Sequence, residues 1–337
     1  MTTDWPRVQL HVVTGKGGTG KSTIAAALAL GLASHGKNVL LCEVEGRQGV
    51  ARMFDVDPLP YAETRIATGL RWSEGGDDRT PGSVYALHID PEQALLEYLK
   101  MYYKLGPAGR ALDRFGVTEF ATTIAPGVRD VLLTGKVFEA VQRNSRNRGA
   151  RQYDAVVLDA PPTGRITSFL NVSESVAGLA KVGPIKHQAD TMMTLFRSPR
   201  TAVHLVTLLE EMPVQETADG IAELRAARLP VGGVVVNQVR PRDLPDEALE
   251  AARTGTLDRA RIEADLKHAG VEPAGGLVEA LLEEAKEYAE RRALEDAQRA
   301  LVGELGVPAY ELERLAAGVD IGGLYELAAD LKEQGLA

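Results

Sequence analysis

Short, unbroken apolar runs alternate along the chain with longer segments whose apolar residues recur every third or fourth position. The runs at 8–14 (VQLHVVT), 37–45 (KNVLLCEVE), 84–90 (VYALHID), 153–164 (YDAVVLDAPPTG), 201–207 (TAVHLVT), 231–238 (VGGVVVNQ) and 308–313 (PAYELE) read as strands. Between them the periodicity predicts a helix from Lys21 to His35, stopped by Gly36, and helical stretches over about 91–148 and 165–198. An amphipathic helix Val214–Ala227, a charged helical region 243–303 and a last helix in GGLYELAADLKEQ follow. Residues 57–83, rich in Pro, Gly and Asp, read as a mobile surface excursion. Strands alternating with helices predict an α/β fold, a doubly wound and mostly parallel sheet covered on both faces. The expected organisation is a single domain over 1–337, with helical insertions at about 91–150 and 165–200 building a subdomain on one side. No internal repeat is visible, which excludes two fused copies of one half.

Composition narrows the possibilities. The 337 residues are 45% apolar and 25% charged, as in ordinary soluble domains, and no apolar run is long enough to span a bilayer. A formal charge of −9 argues against nucleic acid as a main partner. Cys42 is the only cysteine, so no disulfide and no zinc or arsenite site of several thiolates is expected within one chain. The start, MTTDWPRVQL, lacks the pattern of a signal peptide, so the expected location is the cytoplasm, with any membrane contact made peripherally through a partner.

The chemistry begins at GKGGTGKS, residues 15–22, between an apolar strand and an alanine-rich helix. Glycines at 15, 17, 18 and 20 let the backbone curl so that successive N–H groups point at phosphates, and the helix adds its positive end. The nucleotide-binding set is therefore Gly15, Lys16, Gly17, Gly18, Thr19, Gly20, Lys21, Ser22 and Thr23. Lys21 neutralises β- and γ-phosphate charge, and the Ser22 hydroxyl can coordinate magnesium. Lys16 is surplus to that task. A lysine directly after the first glycine does not easily reach phosphates held by its own loop. It makes sense as a charge that crosses a dimer interface, as an arginine finger does; a solvent-facing lysine is the alternative. Asp159 ends an apolar strand, from which a carboxylate can orient a magnesium-bound water.

The KGGTGKST loop resembles the deviant Walker A motif of dimeric ATPases that include ParA/MinD proteins, nitrogenase iron protein and the ArsA family. The rest of the chain resembles the ArsA branch, which holds arsenite-pump ATPases and the guided-entry ATPases for tail-anchored membrane proteins. VVLDAPPTGRITSFL (156–170) looks like its switch II, and ALHIDPEQALLEY (86–98), APGVRDVLLTGKVFEAV (125–141), PVQETADGIAEL (213–224) and GGVVVNQ (232–238) match in the family's order. EVEGRQG after the second strand is similar to actinobacterial members called anion-transporting ATPases. The resemblance implies that Asp159 acts through a magnesium-bound water and that Gly164 lies near the γ-phosphate in a nucleotide-sensing switch, with Thr163 supporting that loop. It also implies that Asn237 contacts adenine. It aligns Glu45 with the family's water-positioning aspartate, while Gly46, Arg47 and Gln48 replace Pro-Ala-His. Glu45 is expected to orient the attacking water, with Arg47 or Gln48 assisting; the alternative is a surface glutamate with another group in that role.

The implied function is a magnesium-dependent ATPase, binding ATP and Mg²⁺ and working as a dimeric switch. It would couple hydrolysis to anion transport or membrane-protein targeting through a membrane protein partner or client. Two other readings stay open. One is a low-turnover nucleotide-binding subunit in a heterodimer with a paralogous ATPase rather than a homodimer. The other, a ParA/MinD-like positioning ATPase, is disfavoured by the acidic balance and by a C-terminus, LKEQGLA, without a basic amphipathic tail. Two further stretches have bland readings: the arginines of RNSRNRGAR (143–151) as a solvated loop, and the methionines of ADTMMTLF (189–196) as core rather than a client groove.

Overall fold

The computed structural model describes residues 3–45, 48–71, 80–103, 126–143, 149–172, 184–273, 275–316 and 318–337. Among the described residues eight strands form one sheet: β1 (Leu10–Gly15), β2 (Val39–Glu43), β3 (Thr64–Thr68), β4 (Ser83–His88), β5 (Ala155–Asp159), β6 (Thr201–Thr207), β7 (Val231–Val239) and β8 (Ala309–Glu313). Their order is β3-β4-β2-β5-β1-β6-β7-β8. Every pairing is parallel except β3 with β4. The first strand in the chain is thus a central one, flanked by β5 and β6.

The apolar runs form strands because both of their faces are covered. Leu10 and Val12 point into one core, with Leu40, Cys42, Val156 and Leu158. Val13 points into the other, with Val39, Leu41 and Val157, as the two-residue pleat requires. The second core also holds α1 (Lys21–Ala33), whose Ile24–Leu30 run is fully buried, the short α2 (Gly49–Met53) through Val50 and Ala51, and α11 (Ile321–Glu333), seated through Leu324, Leu327 and Leu331. The first core collects α3 (Pro91–Tyr103), α4 (Pro126–Gln142), α5 (Thr163–Leu170), α6 (Pro184–Phe196) and α7 (Glu211–Ala226). The described parts of the two helical stretches therefore share a core with the strands. Met192, Met193 and Phe196 lie inside that core, so the methionine pair packs. Cys42 is fully buried, and burial pushes its thiol well above the usual range. The charged region 243–303 forms α8 (Asp246–Thr254), α9 (Arg259–His268) and α10 (Leu277–Gly303), with a small cluster of its own at Leu249, Ala252 and Ala289.

One expectation is corrected. Residues 57–83 are not all excursion, because Thr64–Thr68 is the antiparallel edge strand beside β4. Its alternation is short and half-exposed, as edge strands are, and the surrounding Pro, Gly and Asp hide it. Of the arginine-rich stretch at 143–151, residues 144–148 lie outside the described residues, and Arg143 corrects the solvated-loop reading: its side chain is nearly buried and pairs with Glu63 and Glu139.

Candidate functional site

The site lies where β1, β2, β5 and β7 end on the same edge of the sheet. β1 leaves at Gly15, where a Cβ would stand 2.3 Å from the Val206 carbonyl oxygen of the neighbouring strand. Only glycine lets the chain turn there. The loop closes at Gly20, with φ 92° and the start of α1 immediately after. In between, a Cβ on Gly17 or Gly18 would meet no atom within 4 Å, so the space over the loop is open. That open cradle, at a helix N-terminus, suits a polyphosphate.

Lys21 is buried at the first position of α1, and Ser22 follows it. The Ser22 hydroxyl donates to Asp159 Oδ2 at 2.5 Å, joining the loop to the end of β5. This length fits a charge-assisted bond to a carboxylate. Burial pushes the Asp159 carboxyl up to about 6, while the Ser22 hydroxyl and Lys21 charge pull it down and the Glu43 and Glu45 charges push it further up. Asp159 is thus a carboxylate that needs more positive charge than its own chain provides. Among the described residues no three His, Cys, Asp or Glu side chains cluster to hold a metal ion. A magnesium ion here would rest on Ser22, on Asp159 through water and on the nucleotide's own oxygens, the pattern this ion favours.

Glu45 follows β2 on an exposed bend, close enough for its charge to act on Asp159. Gly46 and Arg47 lie outside the described residues. Gln48 has a left-handed backbone (φ 52°), and its amide exchanges two hydrogen bonds with the Leu59 backbone, at 2.9 and 3.1 Å. It anchors the loop's far end instead of reaching the site. The near end is anchored by Glu43, which the sequence reading overlooked. Its Oε1 accepts from the Gly49 N–H at 2.7 Å, and its Oε2 lies 3.3 Å from His88 Nδ1. Burial alone would raise this carboxyl, but the His88 and Gly49 contacts outweigh it and hold it below the usual value. The sequence shows only an acid closing an apolar run; the fold sets it in register with Asp159.

Thr163 opens α5, with Gly164 next to it on the exposed side. The buried Thr163 hydroxyl has no hydrogen-bond partner among the described residues. Thr23 lies one residue beyond Ser22, its hydroxyl 3.8 Å from Met53 Sδ. Asn237 is buried near the end of β7, and its Nδ2 donates to the Thr19 carbonyl at 2.8 Å. It braces the phosphate loop and also lines a small cleft of about 60 Å³ with Leu208, Gln238, Arg240 and Arg314. Lys16 is the outlier: its Nζ lies 2.8 Å from Glu216 Oε1 on α7, a partner the sequence did not announce.

Among known proteins, the family described as "Anion-transporting ATPase" matches residues 8–199. The chain is 51% identical over 336 residues to ATPase BagA of Mycobacterium tuberculosis, covering 98% of this chain and 96% of that protein. It is 29% identical over 231 residues to the arsenical pump-driving ATPase of Escherichia coli, covering 68% of this chain and 34% of that one. With ATPase GET3B of Arabidopsis thaliana it shares 23% over 283 residues, 70% of this chain and 65% of the other.

Proposed function

Because this chain belongs to the anion-transporting ATPase (ArsA) family and is an ATPase, we propose that it runs as a nucleotide-driven switch between two subunits. The observation that carries this reading is the joined set of open glycine loop, buried Lys21 and Ser22–Asp159 bond. When ATP is bound, the N–H groups of Gly15–Ser22 hold its phosphates and Lys21 balances their charge. Magnesium, when bound with ATP, would supply the positive charge that Asp159 lacks and neutralise the phosphate oxygens. Ser22 offers it a hydroxyl, and Asp159 orients its water.

Glu45 orients the attacking water from the other side, its loop held in place by Glu43 and Gln48. Lys16 is the charge lent to the nucleotide of a second subunit, and only the paired state brings it there. Phosphoryl transfer depends almost entirely on positioning and charge stabilisation, so turnover should be slow in the separate subunit. Asn237, at the loop's back, borders the base in the cleft with Arg240 and Arg314. Hydrolysis would release α5, where the unpartnered Thr163 hydroxyl sits, and so move the helices packed against it.

The coupled task is membrane-related, either anion transport or delivery of a membrane protein, with the likeness to an arsenical pump-driving ATPase and to GET3B as support. Among the described residues no helix is long and apolar enough to cross a membrane, so any membrane step belongs to a partner. A soluble, cytoplasmic location fits this arrangement.

The test is ATP turnover against protein concentration, for wild type and Lys16→Ala, with ATP binding measured separately. Specific activity should rise with concentration in the wild type and be lost in the variant, with binding retained. Flat, near-zero activity in both would overturn the self-paired switch. It would favour instead a low-turnover subunit that needs a paralogous ATPase, a reading that the substituted residues after Glu45 support.

A further inference from the structure

Lys16 does not wait in solvent. Its ammonium is 2.8 Å from Glu216 Oε1, and the two side chains are 31% and 36% exposed. Glu216 sits on α7, the helix that follows β6. One turn further along, Gly220 lies against Thr163 at the start of α5, where a Cβ would be 3.2 Å from Thr163 Cγ2. Two turns along, Glu223 Oε2 accepts from the Thr167 hydroxyl at 3.4 Å. Residues 216, 220 and 223 fall on one face of the helix. Helix α7 therefore touches, on a single stripe, both the lysine of the phosphate loop and the segment that follows Asp159.

We propose that Glu216 is the resting seat of Lys16, holding the lysine on its own subunit and releasing it only when a second nucleotide site competes for it. The proposal rests on the reading that Lys16 acts across an interface. Its physical basis is a contest between anions. A half-exposed carboxylate holds an ammonium weakly, because water screens the pair and two long side chains must be kept in one geometry. A triphosphate in a partly dry interface presents several negative charges, so it outbids a single carboxylate, whereas an empty site does not. Glu216 thereby raises the concentration at which the ATP-bound subunits pair, and it leaves pairing of the empty subunits as it is, since there the lysine stays seated. Helix α7 also loses its tie to the loop at the moment α5, packed on the same stripe, is engaged.

The experiment measures self-association by sedimentation, with and without ATP and magnesium, for wild type, Glu216→Gln, Lys16→Ala and the double variant. Glutamine keeps the shape of the side chain and removes its charge, and the position is open enough that folding is not at stake. Glu216→Gln should pair in ATP at a roughly two- to five-fold lower protein concentration than wild type, the scale of one exposed ion pair. That gain should disappear when Lys16→Ala is also present. Association of Glu216→Gln that is unchanged or weaker overturns the seat, and so does a gain that persists without Lys16. Failure of the underlying reading has a different signature: Lys16→Ala alone would then associate and hydrolyse ATP as wild type does.

Discussion

At the scale of single residues, the site sets stability against chemistry. The folded pKa of Asp159, about 6, lies above its unfolded value near 3.8. Its stabilising contribution is therefore complete below about 3.8 and is lost as pH rises through about 6, where the ion must form inside the protein. Asp159→Asn, which can still accept from Ser22, should make the nucleotide-free protein more stable by about 2–3 kcal/mol at pH 8. The gain should be nearly gone at pH 4, and ATP turnover should be lost at any pH. Urea melts at the two pH values check the stability, and a phosphate-release assay checks the turnover. A variant less stable at pH 8 would mean that Asp159 is compensated by its own chain after all. The position of the loop, of Asp159 and of Asn237 at strand ends was legible from sequence, because glycine spacing and the end of an apolar run are local features. Glu43 and Glu216 were not legible, since each acts through a partner that only the fold brings near. Gln48 shows the converse: an amide next to the loop in sequence is spent on Leu59.

At the scale of elements, the helices around the site are fitted to one another where side chains are smallest. Gly220 is a seat for α5 against α7, with Leu205 Cδ2 and Thr163 Cγ2 both 3.2 Å from where its Cβ would be. Gly220→Val should overpack this contact and cost about 1–3 kcal/mol in thermal or urea unfolding. It should also lower the ATP turnover rate by more than it weakens ATP binding, because the strain falls on α5 and not on the phosphate loop. Equal loss of binding and turnover would argue that the two helices do not act separately from the loop. Strands and helices with strong periodicity were readable because burial of both faces leaves an unbroken apolar run. Thr64–Thr68 escaped because a half-buried edge strand needs only a few apolar residues, and its neighbours signal turns.

For the molecule as a whole, the middle of the sheet adds an acid limit. His11 Nδ1 and His204 Nε2 are 3.1 Å apart on β1 and β6, and the Gly233 N–H donates to His204 Nδ1. The two rings stack, fully buried. Burial pushes His204 down to about 3 and, with the His204 charge, His11 well below its usual 6.5. Because the unfolded chain binds these protons first, their contribution is whole above about 6.5 and is lost as pH falls toward about 3. Urea midpoints should therefore drop steadily between pH 7 and pH 4. Asp159 pulls the other way over part of that range, so the sharper comparison is with His204→Gln, which should flatten the slope. An unchanged slope would place the acid limit elsewhere.

The strand order has a consequence for how the protein is made. β1 leaves the ribosome before the other described strands, yet both of its neighbours, β5 and β6, begin only at residues 155 and 201. At roughly 5–20 residues per second, Leu10–Gly15 stays unpaired on the order of ten seconds while β2 and β4 already have each other. The nascent chain thus carries a central strand of its sheet, and with it the phosphate loop, unpaired until residues 155–207 have emerged.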